Sequence, residues 1–138
     1  MSDIKALQNF LDNSHSSYHA AANLASMLTG AGYTRLSEKE EWDLVPGGKY
    51  FLVRGGTAVM AFRIPEGEVT GFMMSASHSD RPTFKVKENA ETVGAYTKML
   101  VERYGGMLIS TWLDRPLSIA GRLIKNRQFR KTELPIVC

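Results

Sequence analysis

The sequence predicts an α/β fold, and three observations carry that expectation. Two amphipathic stretches at the N-terminus have helical spacing. Lys49 to Ile64 reads as strand, two-glycine turn and strand. A short apolar run, Phe72 to Met74, has the texture of a buried strand and leads straight into His78.

The first helix is expected over Asp3 to Asn13, where Ile4, Leu7, Phe10 and Leu11 share one face and Ser2 or Asp3 caps the start. Ser14 to Ser17 breaks that pattern and offers Ser16 and Ser17 as caps for a second helix. This helix is expected over Tyr18 to Thr29, with Ala21, Leu24, Ala25 and Leu28 inward and Gly30 or Gly32 at its end. His15 and His19 are four residues apart in or beside its first turn. That spacing suits a metal pair on a helix, but the stretch reads as a cap and lacks a zincin's intervening carboxylate, so a capping or locally hydrogen-bonded histidine is the preferred reading.

Tyr33 to Leu44 is read as a connection with a short helical turn, and its acidic cluster, Glu38 to Glu41, as a solvated face. Pro46-Gly47-Gly48 marks a turn. Lys49 to Arg54, Gly55-Gly56 and Thr57 to Ile64 form the expected hairpin. Val69 to Ser77 is expected to be the strand that delivers His78 and Asp80, and Thr83 to Lys87 alternates as another. An imidazole and a carboxylate just past a buried strand lie where open α/β sheets place ligands. A neutral histidine suits zinc, and a nearby carboxylate can fix its tautomer or orient metal-bound water.

After Lys87 the texture changes. Glu88 to Gly94 reads as loop, Tyr96 to Tyr104 as a strand or short helix, and Met107 to Leu113 as a strand. Leu117 to Lys125 and Gln128 to Val137 read as further strands, with turns at Pro116 and Asn126-Arg127. The chain is mostly β from about residue 89, where a domain boundary is expected. Its end, LPIVC, is an apolar strand-like run without a polar tail, which suggests that the sequence stops before the fold does.

Composition narrows the function classes. The 138 residues suffice for one small domain, and no apolar run reaches membrane-spanning length, so no membrane partner is expected. The N-terminus lacks the order of a signal peptide. The one cysteine, Cys138, excludes an internal disulfide framework, so a cytoplasmic setting is expected. Net charge is +3 and pI about 9.1, with the excess in Arg122, Lys125, Arg127, Arg130 and Lys131. These read as a solvated strand edge or loop in preference to a phosphate-binding patch, and without interleaved aromatic residues no nucleic-acid partner is expected.

Several segments, in order, carry a resemblance. They are Ser17-Tyr18-His19-Ala20, Glu40-Glu41-Trp42 with Gly48-Lys49-Tyr50-Phe51, and His78-Ser79-Asp80-Arg81-Pro82. After them come Tyr104-Gly105-Gly106, Ser110 to Arg115, Leu117, and Ala120-Gly121-Arg122. Along almost its whole length the chain resembles the N-terminal part of the aspartyl aminopeptidase family of zinc aminopeptidases, which also includes vacuolar aminopeptidase I. Ser79 stands for that family's usual threonine and Arg81 for its serine.

The resemblance implies a metallopeptidase that removes N-terminal residues from peptides. Two zinc ions per complete site would polarise the scissile carbonyl and supply the hydroxide. His78 would ligate one metal, and Asp80 would be the carboxylate that orients the site. It implies residues 1–88 as the start of a zinc-peptidase α/β domain and residues 89–138 as the start of a β-rich dimerisation domain. The bridging aspartate, the general-base glutamate, the other ligands and a histidine from across the dimer interface would all lie further along. The chain alone is therefore expected to be inactive. Expected partners are peptide substrates, further copies in a homo-oligomer, and the missing C-terminal part as a separate chain. A non-catalytic, self-associating module is the alternative. Trp112, Asp114 and Arg115 are expected to be structural.

Overall fold

The computed structural model describes residues 3–92, 94–125 and 128–134. The chain runs α1 (Asp3–Asp12), α2 (Ser17–Gly30), β1 (Thr34–Arg35), β2 (Lys49–Arg54), β3 (Ala58–Arg63), β4 (Thr83–Thr92) and β5 (Lys98–Tyr104). A 3-10 turn (Ile109–Trp112), β6 (Ile119–Lys125) and β7 (Gln128–Leu134) follow. These elements form two compact units, one of residues 3–79 with 118–134 and one of residues 80–117.

In the first unit the predicted hairpin is present. β2 pairs antiparallel with β3 from Lys49↔Arg63 to Arg54↔Ala58, and β1 adds in parallel through Thr34↔Tyr50 and Arg35↔Phe51. β2 is thus central, and its apolar run Tyr50-Phe51-Leu52 is buried, with Phe51 only 1% exposed. α2 packs on β2 and β3 with Ala20 and Ala21 buried, because small side chains let a helix approach the sheet closely. The edge of this layer is aromatic. Phe62 lies 5.6 Å from the Tyr50 ring and 6.3 Å from Trp42. Trp42 donates its indole N–H to the Ser37 carbonyl at 2.7 Å. Gly48 sits directly against Tyr50, where a Cβ would overlap the ring. β6 and β7 pair antiparallel from Ile119↔Leu134 to Lys125↔Gln128.

In the second unit β4 and β5 form an antiparallel hairpin from Thr83↔Tyr104 to Thr92↔Lys98, with an irregularity between Val86 and Glu91. Lys85 and Glu102, directly opposite, are 3.4 Å apart, and Phe84 meets Trp112 edge to face at 5.5 Å. Trp112 thus packs on the hairpin. Asp114 takes a left-handed conformation (φ 54°), which a short polar side chain tolerates.

Three expectations are corrected. Val69 to Ser77 forms no strand. It has no ladder partner among the described residues, and Phe72 is 88% exposed, with Met73 and Met74 equally open. An apolar run becomes a strand only where a neighbour completes its hydrogen bonds. Glu88 to Thr92, expected as loop, continues β4, because Glu91 and Thr92 find partners in Met99 and Lys98. Met107 to Leu113, expected as strand, contains the 3-10 turn. The Thr111 N–H and hydroxyl both donate to the Leu108 carbonyl, at 3.1 and 2.7 Å, and that local closure displaces extension.

Residue 89, where the texture changes, lies inside β4. The expected turn at Asn126-Arg127 and the run after Leu134 fall outside the described residues. Among the described residues no helix is long and apolar enough to cross a membrane.

Candidate metal site

His78 and Asp80 lie on the extended connection between β3 and β4, both exposed. His78 belongs to the first unit and Asp80 opens the second. Each has a neighbour that is pinned. Ser79 donates its hydroxyl to the Thr57 carbonyl at 2.9 Å, tying the residue after His78 to the β2–β3 turn. That bond requires a hydroxyl, which serine and threonine both provide. In the second unit Tyr104, the last residue of β5, donates its phenol to Asp80 Oδ2 at 2.6 Å. A length in this range marks a charge-assisted O–H···O⁻ bond. The hydrogen bond to Asp80, then its negative charge, hold the Tyr104 hydroxyl above its ordinary pKa.

The other sequence candidates resolve into local structure. Ser16 is the N-cap of α2 by backbone conformation (φ −141°, ψ 167°), yet its hydroxyl bonds the His19 Nδ1 at 2.8 Å rather than the helix end. The His15 and His19 rings meet edge to face with centroids 6.0 Å apart. The preferred reading of His19 as locally hydrogen-bonded holds. Of the acidic cluster, Glu38 pairs with Arg54, whose Nε lies 2.7 Å from Glu38 Oε1, and that bond raises the guanidinium pKa. Arg122 lies over the Tyr18 ring at 4.5 Å. Sequence reasoning missed Tyr104 as the partner of Asp80. The Tyr-Gly-Gly segment was visible, but a contact across 24 residues leaves no periodic signal.

The family sequence model described as Aminopeptidase I zinc metalloprotease (M18) matches residues 10–136. The probable M18 family aminopeptidase 2 of Clostridium acetobutylicum is 40% identical over 137 residues, covering 94% of this chain and 32% of that protein. The aspartyl aminopeptidase of Dictyostelium discoideum is 42% identical over 125 residues, 87% of this chain and 25% of that protein. Among solved structures, Chaetomium thermophilum mApe1 superposes with TM-score 0.81 at 30% identity, over 94% of this chain and 32% of that chain. The S. cerevisiae mApe1 dodecamer superposes with TM-score 0.74 at 31% identity, over 93% and 31%.

The fold is thus the mixed α/β arrangement found in the N-terminal part of aminopeptidases of this kind. The chain belongs to the M18 family of zinc metalloproteases, as its sequence resemblance indicated. It spans about a quarter to a third of the length of the curated relatives it matches.

The family description implies zinc, and a catalytic zinc needs about three protein ligands. Among the described residues no group of three or more His, Cys, Asp or Glu side chains could hold a metal ion. The described residues do not by themselves fit a complete zinc site.

Proposed function

We propose that this chain is the N-terminal portion of a zinc aminopeptidase that removes N-terminal residues from peptides, and that it contributes one part of a site completed elsewhere. In this reading His78 is a ligand to one of two zinc ions and Asp80 the carboxylate that orients the site. The remaining ligands and the general base belong to polypeptide beyond these residues, and residues 1–138 alone are inactive. The observation that carries the reading is the family match across residues 10–136, which includes the His78-Ser79-Asp80-Arg81-Pro82 segment.

Residues 1–88 are assigned to the start of the peptidase domain and residues 89–138 to the start of a β-rich dimerisation domain. This is a division of roles along the sequence, distinct from the division into compact units. Assembly into a homo-oligomer is supported by the dodecameric S. cerevisiae relative. A cytoplasmic setting is supported by the lone cysteine. The second reading, a non-catalytic fragment that self-associates, is favoured by one observation: Ile4, Leu7, Leu11, Phe72, Met73 and Met74 are all exposed.

The test is a chimaera in which residues 1–138 replace the matching third of the Clostridium acetobutylicum relative. The chimaera is expected to bind zinc and cleave aminoacyl p-nitroanilides, whereas residues 1–138 alone do neither. His78→Ala in the chimaera is expected to lose bound zinc. Unchanged zinc content in that variant contradicts the role given to His78.

A further inference from the structure

Within the first unit, α2 leaves part of the sheet uncovered. Arg35 and Phe51 are ladder partners and Val53 follows two residues after Phe51, so all three project to one face of the sheet. Phe51 is buried on that face. Val53, a smaller side chain set against Ala21, Ala22 and Ala25 of α2, leaves a cleft of about 320 Å³.

Tyr18 forms a wall of this cleft. Its ring stands against Gly56 of the hairpin turn, where a Cβ would come 3.5 Å from Tyr18 Cδ1. Arg122 stacks over the same ring, 4.5 Å from its centroid, and the cleft needs nothing of Arg122 beyond that stacked wall. The charge that selects a ligand belongs to Arg35. Its exposed guanidinium makes no hydrogen bond or ion pair among the described residues, and among them no carboxylate lines the cleft. Arginine stays protonated at every ordinary pH and offers a planar fork of donors. The backbone beneath it is fixed, because the Leu36 N–H donates to the Phe51 carbonyl at 2.8 Å.

We propose that this cleft binds a small monocarboxylic acid with an apolar body. The body lies against Ala22, Ala25, Val53 and the Tyr18 ring, and the carboxylate pairs with the Arg35 guanidinium. Neither His78 nor Asp80 takes part, and every residue of the site belongs to the first unit. Size and charge select this class of ligand. A volume near the lower end of the range for ligand pockets admits one ring or branched chain rather than a length of peptide. A guanidinium accepts a carboxylate as a two-bond fork, and it repels an amine. Because Arg35 is in contact with water, the pairing adds modestly and the site is a weak one.

The test titrates hydrocinnamate into the 138-residue chain at about pH 7 and constant ionic strength, following backbone amides by NMR. Hydrocinnamyl alcohol, phenethylamine and inorganic phosphate are titrated beside it. The acid is expected to shift the amides of Ala22, Ala25, Val53 and Gly56 saturably, with a Kd of about 1 mM, the scale for a ligand of that size. The alcohol is expected to bind about fivefold more weakly, and the amine and phosphate to give no saturable shift. Arg35→Gln should lower the affinity for the acid to that for the alcohol and leave the alcohol unchanged, which separates loss of the pairing from loss of the fold. Ala25→Leu, which fills the cleft from a helix position that favours leucine, should abolish binding of both. The proposal is overturned if the acid gives no saturable shift at these amides, or if the amine or phosphate matches it. It is equally overturned if Arg35→Gln binds the acid as the wild type does, or if binding survives Ala25→Leu.

Discussion

Phe51 and Phe72 both sit in short apolar runs that read as strands, yet one is 1% exposed and the other 88%. The difference lies in their neighbours. Lys49–Arg54 has a strand on either side, β1 in parallel and β3 antiparallel, and α2 over one face. Phe72-Met73-Met74 has no ladder partner among the described residues. Apolar character makes a segment able to be buried, and only a neighbour buries it.

The largest expected effect sharpens that contrast. Phe51→Ala should destabilise the chain by about 3–5 kcal/mol, whereas Phe72→Ala should change stability by less than about 0.5 kcal/mol. Urea unfolding followed by tryptophan fluorescence measures both, and equal effects would break the comparison. Next in size is Gly48→Ala. The new methyl meets the Tyr50 ring and must displace it from Phe62, at a cost of about 1–3 kcal/mol in the same experiment.

Ser79→Ala tests the tether between the two regions of the first unit. Loss of its bond to the Thr57 carbonyl should cost about 0.5–1.5 kcal/mol and speed amide exchange near His78, while Ser79→Thr should preserve both values. A smaller effect comes from Tyr104. Because its pKa is raised in the folded chain, its contribution is fully present below about pH 10 and is lost as pH rises through the raised value. Stability measured between pH 8 and 11 should therefore fall more steeply in the wild type than in Tyr104→Phe. The smallest effect is expected from Glu38→Gln. Its pair with Arg54 is solvent-exposed, so the unfolding midpoint should not move measurably.

The sequence was most legible where local signals and neighbours agreed. α1, α2, the β2–β3 hairpin and the β6–β7 pairing all follow from periodicity or turn residues within about thirty residues. It was least legible where the outcome depended on a contact. Val69 to Ser77 carries a strand pattern without a partner. Glu88 to Thr92 carries a loop pattern but is drawn into β4 by Met99 and Lys98. The 3-10 turn at Ile109–Trp112 depends on a threonine hydroxyl turning back on its own backbone. His78 and Asp80 were singled out from the motif around them, and the family to which that order of motifs pointed is the one whose model matches residues 10–136. Their supports, Thr57 through Ser79 and Tyr104 through Asp80, were not, since both are contacts across more than twenty residues.

The measurement that tests the central claim most directly is the zinc content of the purified 138-residue chain after equilibration with zinc chloride and removal of free metal. The account predicts no stoichiometric zinc, because a catalytic zinc needs about three protein ligands, no such group stands among the described residues, and the proposed reading gives this chain only part of the site. One or two zinc ions retained per chain would contradict it.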